Sequence, residues 1–364
     1  IDRMIFEGKV SIPPELKIDE MSKKETQFMH SNVNTVINKF KNEERIFPNK
    51  NIKDIVSTMG INKFFGFIID EKYGGSNFSV TGLSNTVMKL TSANPALGII
   101  AMVPNSLGPA ELLENYGTEL QREKYLPSLA SGKSIPCFGL TGPNNGSDAA
   151  GAMDQGEVVI QGGKKYIKVS VNKRYITLAP IADLVGLAVK VNVPNGLLTS
   201  GSEGVTVALL KSDHPGLRLE THHNPLNVGF PNGTVKGDLL ISVDDVIGGE
   251  KNIGEGWKML MECLAAGRAV CLPATANASS KVATYGVWNY ARHRRQFKIP
   301  LIKMEGIQNK LADMVFHTWL IQCGVKLTNA LLDAGEKPAV ISAIMKEQTT
   351  ERAREVLNHG MDIY

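Results

Sequence analysis

Between about residue 134 and residue 250 the chain changes texture, and this break limits its possible folds more than any other feature. Val158-Val159-Ile160, Tyr166-Ile167-Lys168-Val169, Leu184 to Val191 and Val205 to Leu210 are rich in branched residues. Gly, Pro and Asn separate them, as they separate strands. On either side the pattern is helical. Lys23 to Phe40, Leu83 to Leu90 and Pro109 to Tyr116 precede the block. After it, Ile307, Leu311, Met314, Ile321, Val325 and Leu332 recur at helical spacing, and Gly335 closes that run. An α+β fold in three parts is expected: an N-terminal helical domain over 1–133, a middle β-barrel or sandwich over 134–250, and a C-terminal helical bundle over 251–364.

Local signals sharpen these parts. Thr118 followed by Gln121 predicts a capping box at the start of a short helix that ends near Pro127. Glu255 to Phe297 is alanine-rich, with Pro273 as an expected kink. Pro338 suits the first turn of the last helix, which ends near Gly360.

Composition excludes several classes. Hydrophobic residues make up 43% and charged residues 21%, so the chain is not of the disordered type. The longest uninterrupted apolar run, Ala96 to Val103, falls short of the ~20 residues of a membrane span and ends at Pro104. A net charge of +4 suits an anionic ligand but does not point to nucleic acid. Cys137, Cys263, Cys271 and Cys323 are scattered, which fits a reduced, intracellular setting. His222 and His223 are adjacent, so on a strand they face opposite sides and do not share a metal. Ile1 and Tyr364 read as cut points within a longer protein.

Chemistry concentrates in two segments. Cys137-Phe138-Gly139-Leu140-Thr141-Gly142-Pro143-Asn144-Asn145-Gly146-Ser147-Asp148 runs from a short apolar strand into a loop of hydroxyls and glycines. Such a loop lets backbone and hydroxyl donors approach a flat or phosphorylated ligand. Lys173-Arg174-Tyr175-Ile176-Thr177-Leu178-Ala179 sets an aromatic ring and a hydroxyl at alternate strand positions, facing one side. Either segment alone also describes an ordinary strand-end turn. Their order and spacing carry the reading.

These stretches resemble the acyl-CoA dehydrogenase family, in particular its long bacterial fatty-acid β-oxidation form. The family's Leu-Thr-Glu-Pro-x-x-Gly-Ser-Asp stands here as Leu140 to Asp148, with Gly142 where most members carry Glu. Tyr116-Gly117-Thr118 through Tyr125-Leu126-Pro127, Gly254-Glu255-Gly256-Trp257 through Arg268, and Arg292-His293-Arg294-Arg295-Gln296-Phe297 match further family elements. The resemblance implies FAD held by Phe138, Leu140, Thr141, Ser147, Tyr175, Ile176 and Thr177, with Tyr175 where most relatives place Trp. It implies that Arg294 and Gln308 reach the FAD of a neighbouring subunit in a homodimer, although Lys298 stands where a Gly usually forms the tight turn. It also implies that Arg268 and Ser147 meet the coenzyme A part of a fatty acyl-CoA. The implied product is a trans-2-enoyl-CoA and the implied electron acceptor is electron-transfer flavoprotein.

The catalytic Glu is not at hand. Some branches carry it just before the Arg of the coenzyme A site, but that position is Gly267, and Glu262 does not match it. The other family position, a Glu-Gly loop, is expected beyond Tyr364. An oxidase or flavin monooxygenase on the same fold, or a non-catalytic acyl-CoA or flavin-binding protein, stays open at this point. The expected location is cytoplasmic, with peripheral association at the inner membrane an open alternative.

Overall fold

The computed structural model describes residues 2–43, 52–194, 196–336 and 339–364. Pro338 lies outside them. Helices come first: α1 (Asp2–Phe6), α2 (Lys23–Phe28), α3 (Asn34–Phe40), α4 (Ile52–Ile61), α5 (Val80–Ala93), α6 (Pro95–Met102), α7 (Pro109–Tyr116) and α8 (Glu119–Ala130). Strands follow: β1 (Pro136–Gly139), β2 (Gln155–Gln161), β3 (Lys164–Thr177), β4 (Leu184–Asn192), β5 (Gly204–Lys211), β6 (Leu217–His222) and β7 (Asn232–Ser242). Then come α9 (Gly256–His293), a small hairpin of β8 (Arg295–Gln296) and β9 (Ile299–Pro300), α10 (Glu305–Asp333) and α11 (Ala339–Ile363). The expected order of helices, strands and helices is the order found.

Proximity in space groups the chain into two compact units: 1–41, 78–98 and 265–364 form the first, and 42–77 and 99–264 the second. In the first, Ile321, Val325, Leu331, Ile341 and Met345 form one apolar cluster, and Val287, Leu311, Met314 and Val356 form another. The helical spacing over 307–332 buries one stripe of α10. Asp333, at its end, accepts from Val80 N–H at 2.6 Å and Thr81 N–H at 3.1 Å, satisfying first-turn donors of α5.

The second unit is built on one sheet in the order β1-β4-β2-β3-β7-β6, with β5 also on β4. β4 pairs parallel with β1 and β2, and the other pairings are antiparallel. Strands β2, β3, β4, β5 and β7 all feed one cluster, including Val158, Val169, Val189, Leu210 and Ile241, so the sheet curls around it as a half-barrel. The other face of β4 and β5 packs on Leu112, Leu126, Leu129, Met259 and Leu260. Burial on both faces explains the near-continuous apolar runs of these two strands.

Some expectations need correcting. The capping box at Thr118 and Gln121 is present, but α8 runs through Pro127 to Ala130. The long helix α9 ends at His293, short of the expected Phe297, and Pro273 lies in its interior as expected. Apolar character is also more extended than the uninterrupted runs suggest. Pro95–Tyr116 and Gly256–His293 are long and apolar enough to cross a membrane, yet 88% and 67% of their apolar windows are buried. Buried helices of a protein core have this composition too.

Candidate functional site

β1 delivers the first loop. Phe138 sits opposite Gly186 on β4, and a Cβ there would come within 2.6 Å of its ring. The glycine therefore makes room for Phe138, which is half-buried, as is Leu140. Beyond the strand, Asn145 organises the loop. Its side-chain amide donates to Leu140 O at 3.0 Å and Ala149 O at 3.1 Å, and its carbonyl accepts from Gly142 N–H at 3.3 Å. Gly142 has a local reason to replace the usual Glu. A Cβ at this position would lie 2.7 Å from Asn145 Oδ1 and 2.9 Å from Asn172 O. Thr141 is half-exposed, and Ser147 and Asp148 are exposed.

β3 delivers the second segment, and here simple alternation fails. Residues 167, 169, 171 and 173 are buried, and the next buried position is Ile176. The pairing with β7 shifts between Lys173 and Ile176, a β-bulge, and Tyr175 takes φ 59°. The bulge, not strict alternation, leaves Tyr175 53% exposed beside half-buried Thr177. The Tyr175 ring packs 4.8 Å from the His223 ring and 5.3 Å from the Arg174 guanidinium. Ile176 is 3% exposed, so only its backbone is available to a ligand.

The two segments are joined directly. Arg174 N–H donates to Thr141 O at 3.1 Å. Lys173, one residue earlier, is fully buried, with its Nζ 2.9 Å from Asp154 Oδ2 and donating to Leu140 O at 3.2 Å. Phe138, Leu140, Thr141, Ser147, Tyr175, Ile176 and Thr177 thus share one region of the second unit. It offers threonine hydroxyls and an open aromatic face, a donor set and surface that suit the edge and face of a flat heterocycle.

The remaining candidates belong to the first unit. Arg268 is exposed on α9. Arg294 is exposed where α9 meets the hairpin, and its carbonyl accepts from Leu301 N–H at 2.9 Å. Gln308 is exposed in the first turn of α10 and donates to Ile302 O at 2.9 Å. The turn at Lys298 forms without glycine. Phe297 at φ 50° and Lys298 at φ 69° link Gln296 to its partner Ile299.

Two acidic groups in the second unit bear on acid–base chemistry. Glu262 is exposed and accepts a short hydrogen bond from the Tyr116 hydroxyl. Burial and this carboxylate push the Tyr116 pKa upward. Glu111 on α7 was not singled out by sequence pattern. Burial pushes its carboxyl up to about 8, a desolvation that appears only once the helix is packed. Among the described residues no cluster of three or more His, Cys, Asp or Glu could hold a metal.

Comparison with known proteins gives the same direction. The family profile "Acyl-CoA dehydrogenase, N-terminal domain" matches residues 18–133, and "Acyl-CoA dehydrogenase, C-terminal domain" matches residues 254–364. A 3-(aryl)acrylate reductase of Clostridium sporogenes is 29% identical over 321 residues, covering 86% of this chain and 80% of that protein. Among solved structures, an acyl-CoA dehydrogenase complexed with FAD from Bacillus anthracis matches with a TM-score of 0.83 at 20% identity. That match covers 97% of this chain, which spans 62% of the other. The butyryl-CoA dehydrogenase of Megasphaera elsdenii matches with a TM-score of 0.78 at 22% identity, over 94% of this chain and 88% of that one.

Proposed function

The chain belongs to the acyl-CoA dehydrogenase family, and from that premise we propose that it binds FAD at the joined loops and serves the α,β-dehydrogenation of a fatty acyl-CoA to the trans-2-enoyl-CoA. Electron-transfer flavoprotein is the proposed acceptor. The observation that carries the reading is the Arg174 N–H to Thr141 O bond, which joins the two hydroxyl-bearing segments next to the exposed Tyr175.

Bound FAD supplies a hydride acceptor at N5. The residues of this chain do the rest. Thr141 and Thr177 would offer hydroxyl donors to the ring edge, where donors already in place stabilise developing negative charge. Tyr175 would cover the face of that ring away from substrate with its exposed aromatic side chain. Ser147 and Arg268 are proposed contacts of the pantetheine and the nucleotide of coenzyme A, the latter suited to an always-charged planar guanidinium. Arg294 and Gln308 are proposed to meet the FAD of a second subunit in a homodimer. A carboxylate must take the Cα proton while Cβ gives up hydride. Gly267 leaves one family position for that carboxylate without a side chain.

The test is anaerobic. The full protein, loaded with FAD, is mixed with palmitoyl-CoA and the flavin band is followed. Bleaching supports the dehydrogenase. FAD uptake without bleaching supports a binding protein instead, and rapid reoxidation by air with product bound supports an oxidase. A folded protein that takes up no FAD overturns the reading altogether.

A further inference from the structure

We propose that Lys173 is a positioning residue for the flavin loop: from behind it, its ammonium group holds the Leu140 carbonyl and so turns the Thr141 N–H toward the ligand. The proposal rests on the flavin reading above.

The argument starts from the peptide unit. In a planar trans peptide the C=O and the following N–H point to opposite sides. Leu140 O accepts from Lys173 Nζ at 3.2 Å and from Asn145 Nδ2 at 3.0 Å. Both donors are buried, so this side of the peptide is the protein interior. The N–H of Thr141 therefore faces the other way. The next peptide is held as well, because Thr141 O accepts from Arg174 N–H at 3.1 Å. Thr141 is thus pinned on both sides, and one backbone donor and one hydroxyl are left to serve a ligand.

The head of Lys173 is tied to the sheet through Asp154, the residue just before β2. It lies 2.9 Å from Asp154 Oδ2. Asp154 is itself anchored, accepting from Asn172 N–H of β3 at 3.3 Å and, through its carbonyl, from Lys190 N–H of β4 at 2.9 Å. Sites held by regular elements keep their geometry better than sites held by loops.

Stability alone is a poor reason for this arrangement. Lys173 is 0% exposed, and taking a charge pair out of water costs about as much as its attraction returns, so an apolar pair of similar volume is often neutral or better. A buried ammonium that also reaches the backbone of a functional loop does something an apolar side chain does not: it donates.

This distinction supplies the experiment. K173M alone would strand Asp154, so the informative variant is K173M/D154L, which removes both charges. Wild-type and variant apo proteins are compared by thermal unfolding, by FAD titration followed through flavin fluorescence, and by amide hydrogen exchange at Thr141. The expected result is a melting temperature near that of the wild type, with FAD bound at least tenfold more weakly and faster exchange at Thr141. A double variant that binds FAD as tightly as the wild type overturns the proposal, because the pair then serves folding only. Should the double variant not fold, N145A decides. It removes the other donor to the same carbonyl and leaves the ion pair intact. FAD binding at least threefold weaker supports the proposal, and unchanged binding overturns it. Wild-type protein that takes up no FAD overturns the flavin reading itself, a failure visible before any variant is made.

Discussion

The Glu25 carboxylate occupies the space that a side chain on Gly82 would need: Oε1 lies 2.5 Å from the ideal Cβ position there, and Cδ lies 2.8 Å away. That carboxylate is not free to move. It accepts from Ser22 N–H at 2.7 Å and Ser79 N–H at 2.6 Å, and these bonds lower its pKa against the opposing, and largest single, effect of burial. One acidic side chain thus serves the starts of both α2 and α5. Gly82→Ala would ordinarily stabilise a helix interior by roughly 0.5–1 kcal/mol. Here overpacking against an anchored carboxylate outweighs it, and a net loss of about 1–2 kcal/mol is expected. Urea unfolding of the G82A protein checks this. A variant as stable as the wild type or more so would show that Glu25 is not held as described.

Glu111 gives stability a pH dependence of unusual sign for a carboxylate. Burial raises its folded pKa from 4.5 to about 8. Its contribution is therefore fully present below pH ~4.5 and is lost as pH rises through about 8. Glu111→Gln keeps the volume and removes the ionisation. At pH 8.5 this variant should be more stable than the wild type by about 1–2 kcal/mol, the shift being discounted for partial solvent access. Near pH 4.5 the two should match. Melting temperatures across that window are the measurement, and a constant difference at all pH values would rule out Glu111 as the cause.

What the sequence disclosed and what it hid separate by range. The capping box of Thr118 and Gln121 is a local device, so it was legible. Gln121 has a second task that was not. Its side-chain amide donates to Val246 O at 2.8 Å and accepts from Gly248 N–H at 2.9 Å, tying α8 to a segment more than 120 residues away. The flavin-type segments were readable from hydroxyls and glycines at fixed spacing. The bulge at Tyr175 was not, because the alternation ends at Val171, the polar run Asn172-Lys173-Arg174 follows, and only the register with β7 shows the shift. Lys173 illustrates the limit best. Beside Arg174 it reads as part of a solvated basic run, and its burial is created by Asp154 and Leu140, which only the folded sheet brings to it.

The hairpin after α9 is formed against local preference. Two-residue turns with positive φ at both positions favour Asn-Gly or similar pairs, yet Phe297 and Lys298 occupy it at φ 50° and 69°. Both are exposed, Phe297 to 90%, so packing does not explain their retention. Lys298→Gly should remove the Cβ strain at one position and stabilise the protein by roughly 0.5–1 kcal/mol, less the entropy of the freed chain. A raised midpoint of thermal unfolding is the expected result. A lowered one would mean that Lys298 makes a compensating interaction.

Tyr175 and Ile176 are neighbours with opposite duties, and substitution should tell them apart. Ile176 is 3% exposed, so Ile176→Ala should cost about 2–5 kcal/mol through lost packing. Tyr175 is 53% exposed and stands at φ 59°. Tyr175→Gly gives up a ring contact with His223 worth about 0.5–1.5 kcal/mol. It also relieves a left-handed conformation that costs a non-glycine residue roughly 1–2 kcal/mol. These terms nearly cancel, so stability should stay within about 1 kcal/mol of the wild type. FAD affinity should nonetheless fall about tenfold, because an aromatic face stacked on a flat heterocycle is worth roughly 1–3 kcal/mol. If Tyr175→Gly instead unfolds the protein as readily as Ile176→Ala and leaves FAD binding intact, the ring is part of the core, and the face assigned to the flavin must lie elsewhere.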